Sequence, residues 1–242
     1  MATQMKPRDP FEIQPMSEPG RRLVELCEAH ATDFATRAAE HDRDATFPFE
    51  NVAALQQSGV MAACVPEDLG GMGVTSLHDI ALAISRLARG DSATAIAANM
   101  HIAMTWLLAP EWRSAAAAGD NDHAAPLEEM LRAIAAGQLV IFTALSEPGT
   151  DLLHPLLTAT RVDGGWSLTG RKIFGTMSVA AHMAYVTFRA GNGTDGERTL
   201  GTFVPVDTPG MEILDTWDAL GMRATCSNDL VFRDCVIPAE GV

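Results

Sequence analysis

The chain has 242 residues, of which 47% are apolar, so it is long and apolar enough for one large domain or two smaller domains with hydrophobic cores. This composition excludes an intrinsically disordered chain. The formal net charge of −14, from 31 acidic and 17 basic residues, excludes a broad surface for nucleic acids or anionic membranes, because such surfaces need clustered lysine and arginine.

Residues 1–17 mix charges and prolines without an apolar stretch. This pattern is neither a secretory signal nor an arginine-rich presequence, so it predicts a loose N-terminal arm. The four cysteines of the chain lack the spacing of a zinc site. They are interpreted as reduced, mostly buried thiols, and we expect a cytoplasmic protein.

Apolar residues recur at helical spacings through most of residues 18–137, for example at Leu77, Ile80, Ile84 and Leu87. This periodicity predicts a helical N-terminal domain made of amphipathic helices. Within it, the closely spaced glycines of VPEDLGGMGVT predict a tight loop in which two backbone segments approach closely.

The segment from Asp91 to Pro110 differs from these helices because it carries no charged residue between its ends. It predicts a core helix that is buried nearly all round, capped by Asp91 or Ser92 and ended by Pro110. A transmembrane span is the alternative interpretation. The run is short for a bilayer, however, and it includes Asn99 and His101, so we expect no membrane span.

From residue 138 onward the apolar period changes to two, which is typical of strands. The turn of one hairpin is predicted at Asp163–Gly165. Helices followed by strands, without alternation, predict an α+β fold, in which an all-helical N-terminal domain precedes an antiparallel β-barrel-like domain over residues 138–242. The predicted strands lie in QLVIFTALS, LLTATRV, WSLTGRKIFGT, MAYVTFRA, TLGTFVPV and DLVFRDCVI.

Two of these strands end in groups that suit a flat heteroaromatic ligand. The first ends in Thr143, Leu145 and Ser146, and the second ends near Phe174. Backbone amides and hydroxyls could bind the edge of such a ligand while the aromatic ring covers its face. The alternative is ordinary structure, since hydroxyls are common in strands and an aromatic residue near a strand end usually fills a core.

Three ordered motifs, ALSEPGTD, WSLTGRKIFGT and WDALGMRATCSNDLVFRDCVIPAE, resemble the acyl-CoA dehydrogenase family, and the helical segment FPFENVAALQQSGVMAACVPEDLGGMGVT is similar to that family too. The resemblance covers the chain from about residue 20. It implies an FAD-dependent oxidoreductase of fatty acid metabolism that dehydrogenates an acyl-CoA thioester between its α and β carbons. It also implies an electron-transfer flavoprotein as acceptor and a homo- or hetero-oligomer.

The resemblance assigns FAD contacts to the two strand ends and to the turn after the first one. Strand residues would contact the pyrimidine edge of the flavin, the turn would contact phosphate or substrate, and the second strand end would lie beside the ring. The residues at these places are Thr143, Leu145, Ser146, Gly149, Thr150, Phe174 and Thr176. Glu147 is expected to hold the turn, and Arg223 to form an ion pair.

The sequence departs from the family pattern in the turn, where EPGTD lacks two small residues that the family usually carries. A flavin-dependent monooxygenase on the same fold is therefore an alternative. His101 bears on it, either as a buried neutral imidazole bonded to backbone or as a catalytic proton donor facing the flavin.

In the family, a C-terminal helical bundle supplies the carboxylate base, and the residues up to Val242 contain no match to it. The resemblance therefore assigns no catalytic residue in this chain. We expect either a partial sequence or a non-catalytic subunit that a partner chain completes.

Overall fold

The computed structural model describes residues 13–191 and 198–239. Its first half is helical, in agreement with the predicted periodicity. The helices are α1 (Glu18–Phe34), α2 (Ala38–Asp44), α3 (Phe49–Gln57), α4 (Leu77–Leu87), α5 (Ser92–Ala118) and α6 (Asn121–Ala135). Between α3 and α4, a Cβ atom on Gly71 would lie 2.2 Å from the Val65 carbonyl oxygen, so the predicted close backbone approach is confirmed.

The second half forms one mixed sheet of seven strands among the described residues, in the order β1-β4-β2-β3-β7-β6, with β5 on the other edge of β4. The strands are β1 (Ile141–Ala144), β2 (Thr158–Val162), β3 (Gly165–Gly175), β4 (Met183–Ala190), β5 (Arg198–Pro205), β6 (Met211–Ile213) and β7 (Asn228–Pro238). A helical part followed by a β part confirms the predicted α+β fold.

The sheet is not purely antiparallel, which corrects one detail of the prediction. β1 and β2 both run parallel to β4, whereas the other pairs are antiparallel. The predicted hairpin joins β2 and β3 through a tight turn, which requires antiparallel strands. β1 and β2 are separated by a long connection instead, and this connection lets both run along β4 in the same direction.

Helix α5 continues through Pro110 to Ala118, so the prediction that Pro110 ends the helix is wrong. Proline removes one helical hydrogen bond, but Pro110 lies on the exposed side of α5, where water can solvate the carbonyl that loses its partner. Asp91 is the N-cap and accepts from the Ala93 amide at 2.9 Å. No helix in the described part of the chain is long and apolar enough to cross a membrane.

The start of the described chain is fixed to α4. The Asp79 carboxylate accepts hydrogen bonds from the Met16 amide at 2.7 Å and from the Ser17 hydroxyl at 2.6 Å. Ser17 then caps α1 by accepting from the Gly20 amide at 3.1 Å. Met16 and Ser17 of the predicted loose arm, residues 1–17, are therefore held by hydrogen bonds, and residues 1–12 lie outside the described residues. All four cysteines are unpaired, as predicted.

Candidate functional site

Strand β1 presents unused amide groups along one edge. Ile141 donates its N–H away from β4, to His101 Nδ1 at 3.0 Å. In a parallel pair, consecutive N–H groups of a strand alternate between its two edges, so those of Thr143 and Leu145 face the same edge as that of Ile141. Neither group donates to another described residue outside the sheet ladder. The end of β1 therefore offers two donors to a ligand.

The end of β3 lies against the end of β1, because the Ile173 amide donates to the Ser146 carbonyl at 2.9 Å. The next residue, Phe174, has a φ of 59° and sits in an irregularity of the β3–β7 ladder. A bulge with this left-handed conformation redirects a side chain out of the sheet. Phe174 is accordingly 53% exposed, and its ring meets the Trp217 ring edge-on at 6.0 Å.

Thr176 belongs to a chain of hydroxyls with a defined direction. The Thr225 hydroxyl donates to the Met222 carbonyl at 2.9 Å, and Ser227 lies 2.7 Å from Thr225 and 2.8 Å from Thr176. Each hydroxyl has one proton, so Ser227 must donate to Thr225 and Thr176 must donate to Ser227. The free lone pairs of Thr176 are therefore available to accept a hydrogen bond from a ligand.

Glu147 holds the turn after β1, as expected from the sequence. Its carboxylate is buried and accepts from the amides of Leu156 and Leu157, the latter at 2.8 Å. It also pairs with Lys172 Nζ at 2.7 Å. The two amide contacts join the beginning of the 148–157 connection to its end, and the ion pair joins the turn to β3.

Within this connection, Gly149 has a φ of 78° and nothing within 4 Å of where a Cβ atom would be. The Thr150 hydroxyl donates to the His154 carbonyl, and Asp151 accepts from the Leu153 amide at 2.9 Å. The Thr150 hydroxyl proton is thus used inside the loop, although the sequence predicts that this residue contacts phosphate or substrate. Its lone pairs remain able to accept.

His101 is completely buried. Burial lowers its pKa to about 4, so the imidazole is neutral near pH 7. Since Nδ1 accepts the Ile141 amide, the proton is on Nε2. Nε2 has no hydrogen-bond partner of ordinary geometry, although the nearby Met61 backbone acts against the lowering of the pKa. This placement agrees with the expected neutral imidazole bonded to backbone. It gives no support to a proton donor facing a ligand at the open edge.

Arg223 pairs with Asp42 at 2.9 Å, as expected from the sequence. Sequence reasoning overlooked Lys172 and Ser227, which connect the site to the sheet. The alternation of β3 contained a signal for Lys172, because this residue falls on the same inward-facing register as the buried Leu168. No such signal marks Ser227, since its role depends on a contact between distant segments.

The open edge, the exposed aromatic ring and the directed hydroxyl fit a flat heteroaromatic group such as a flavin ring. Amide donors can bind its polar edge, and Phe174 can cover its face. The described residues contain no cluster of three or more histidine, cysteine or acidic side chains that could hold a metal ion.

Comparison with known proteins places the chain among flavoenzyme relatives. Residues 21–111 match the family model of the acyl-CoA dehydrogenase N-terminal domain, and residues 143–235 match that of the acyl-CoA dehydrogenase middle domain. The chain is 37% identical over 226 residues to the amino sugar nitrososynthase RubN8 of Streptomyces rubradiris, covering 93% of this chain and 51% of that protein. It is 36% identical over 235 residues to the amino sugar nitrososynthase DnmZ of Streptomyces peucetius, covering 95% of this chain and 55% of that protein.

A solved structure is similar as well. KijD3, in complex with FMN and dTDP-3-amino-2,3,6-trideoxy-4-keto-3-methyl-D-glucose, matches with a TM-score of 0.82 and 39% identity, covering 94% of this chain and 54% of that one. The chain therefore spans about half the length of these relatives.

Proposed function

Because this chain belongs to the acyl-CoA dehydrogenase family, we propose that it binds a flavin at the ends of β1 and β3 and takes part in the oxidation of an amino group on a nucleotide-linked sugar. The observation that carries this proposal is the similarity to two amino sugar nitrososynthases over 93% and 95% of the chain. The open edge of β1 supplies the matching site.

The residues of the site have separable tasks in this proposal. The outward amides of Thr143 and Leu145 donate to the polar edge of the ring and stabilise the negative charge that arrives there on reduction. Thr176 accepts from a ring N–H, and Phe174 covers one face of the ring. A bound flavin would supply electron transfer and the activation of oxygen, which side chains cannot perform.

Oxidation of an amine, rather than of a CoA thioester, is favoured for two reasons. The two nitrososynthase relatives, at 37% and 36% identity, are named for amino sugars. The turn after Glu147 is also short, and its Thr150 hydroxyl already donates within the loop. Molecular oxygen thus replaces an electron-transfer flavoprotein as the electron acceptor in this proposal. His101 serves as a structural group.

The identity of the flavin follows from a binding measurement. The family resemblance predicts FAD, whereas the KijD3 complex contains FMN. Titration of the purified protein with each flavin, monitored by quenching of flavin fluorescence, separates the two. Light scattering with and without flavin measures whether the protein forms the expected oligomer.

The reaction is tested with reduced flavin, oxygen and a dTDP-linked amino sugar. We expect a product that has gained one oxygen atom, detected by mass spectrometry, and no product from the sugar without its amino group. The competing activity is tested by mixing the oxidised flavoprotein with acyl-CoA thioesters of several chain lengths without oxygen. Bleaching of the flavin by any of them, with no product from the amino sugar, would overturn the proposal in favour of acyl-CoA dehydrogenation.

A further inference from the structure

A buried ion pair lies directly behind the edge of β1 that faces the proposed flavin. Lys172 Nζ is 2.7 Å from Glu147 Oε1, and both side chains have no exposed surface. Lys172 comes from β3, two residues before Phe174, and Glu147 follows Ser146 at the end of β1. The pair therefore sits between the two strand ends that form the site.

Both members of the pair have their hydrogen bonds satisfied. The three protons of the ammonium group face Glu147, the Leu145 carbonyl at 3.4 Å and the Thr187 hydroxyl at 3.4 Å. The carboxylate accepts from Lys172 and from two amides at the end of the 148–157 connection. The network thus ties β1, β3, β4 and this connection together at one point.

Such a pair is an expensive way to stabilise a sheet, since well-packed apolar residues of similar size often stabilise a protein equally well or better. Burial itself lowers the pKa of Lys172, and the hydrogen bond to Glu147 acts against that shift. A role beyond packing is suggested by what the ammonium group contacts. It donates to Leu145, whose own amide faces the open edge of β1.

We propose that Lys172 and Glu147 are positioning residues that set the electrostatic potential at the flavin edge with opposite signs. This inference rests on the proposed flavin site. The Lys172 charge favours the negative charge that appears on the flavin when it is reduced, and the Glu147 charge opposes it. Their balance sets the reduction potential of the bound flavin, while their hydrogen bonds hold the strand ends at a fixed separation.

The test is the midpoint potential of the bound flavin, measured at saturating flavin by equilibration with a redox dye. Lys172→Met should lower the potential, because an uncompensated carboxylate remains. Glu147→Gln should raise it, because an uncompensated ammonium group remains. The double variant, which is close to isosteric and carries neither charge, should have nearly the wild-type potential.

A purely structural pair would behave differently. Both single changes would then loosen the same turn and shift the potential in the same direction, or leave it unchanged, and either result would overturn the inference. If Lys172→Met does not fold, Glu147→Gln and the double variant still test the inference. The inference requires a higher flavin potential in Glu147→Gln than in the wild type.

Arg171→Met is the matched control. It removes a cation from the neighbouring position of β3, where Arg171 pairs with Asp229 on the exposed face, and it should leave the potential unchanged. A shift as large as that of Lys172→Met would overturn the inference. A wild-type protein that binds neither FAD nor FMN would instead refute the proposed flavin site itself, so the two failures are distinguishable.

Discussion

Two neighbouring amides at the start of β1 make the same hydrogen bond in different surroundings, and this difference gives a sharp stability prediction. Val140 donates to His182 Nδ1 at 3.0 Å, and Ile141 donates to His101 Nδ1 at 3.0 Å. His101 is completely buried, whereas His182 is exposed. We consider the effect of replacing each histidine with leucine, which has no acceptor.

His101→Leu leaves the Ile141 amide buried without a partner. An orphaned buried donor of this kind costs about 1–3 kcal/mol of the free energy of unfolding. His182→Leu should cost no more than about 0.5 kcal/mol, because water can replace the imidazole at the surface. His101→Gln can place its amide oxygen near the lost Nδ1 and should recover part of the stability.

Urea unfolding at pH 7 measures these differences, and acid titration adds a second signature. Burial lowers the pKa of His101 in the folded protein to about 4, from the ordinary histidine value of about 6.5. The unfolded chain therefore binds more protons between these two values, so the wild type loses stability as pH falls from 6.5 towards 4, by about 3 kcal/mol in all.

His101→Leu removes this component of the acid sensitivity, whereas His182→Leu retains it. Equal costs for the two leucine variants at pH 7 would refute the reasoning. So would an unchanged pH dependence in His101→Leu, since the acid-sensitive group would then lie elsewhere.

Three further predictions concern the proposed site. Phe174→Leu should weaken flavin binding several-fold, by about 1 kcal/mol, with little change in unfolding, because the ring is half exposed; unchanged affinity in a fluorescence titration would contradict its role. Ser227→Ala removes the acceptor of the Thr176 proton, so the visible spectrum of the bound flavin should shift, and an unchanged spectrum would contradict the directed hydroxyl chain. Gly149→Ala should cost about 1 kcal/mol in urea unfolding, because its positive φ disfavours a Cβ atom although space is free; a neutral or stabilising change would contradict this.

Periodicity in the sequence predicts the order of helices and strands well. A helix or strand that buries one face must repeat its apolar residues at the period of that element. Strand β4 has the predicted bounds, Met183–Ala190. Strand β6 was missed because its three residues are too few to show an alternation. The continuation of α5 past Pro110 depends on exposure, which sequence spacing does not reveal.

Some features of the candidate site are likewise predictable from the sequence, and others are not. Strand-end residues such as Thr143 and Phe174 are recognisable from ordered motifs along the chain. The left-handed conformation of Phe174 and the hydroxyl chain from Thr176 to Met222 depend instead on contacts between β3 and a distant segment. These contacts have no local pattern. The parallel pairing of β1 with β4 is likewise a property of the assembled sheet.

The network around Glu147 bears on how the proposed function can differ from that of acyl-CoA dehydrogenases while the proposed flavin site is kept. The carboxylate accepts hydrogen bonds from the Leu156 and Leu157 amides and pairs with the Lys172 ammonium group. Glu147 thus fixes the end of β1 to the far end of the 148–157 connection. This attachment does not depend on the length of the loop in between. The short loop noted in the sequence can therefore reshape the proposed substrate entrance while the proposed flavin edge stays in place. Loop length and flavin affinity should therefore vary independently, provided that Glu147 and Lys172 are kept.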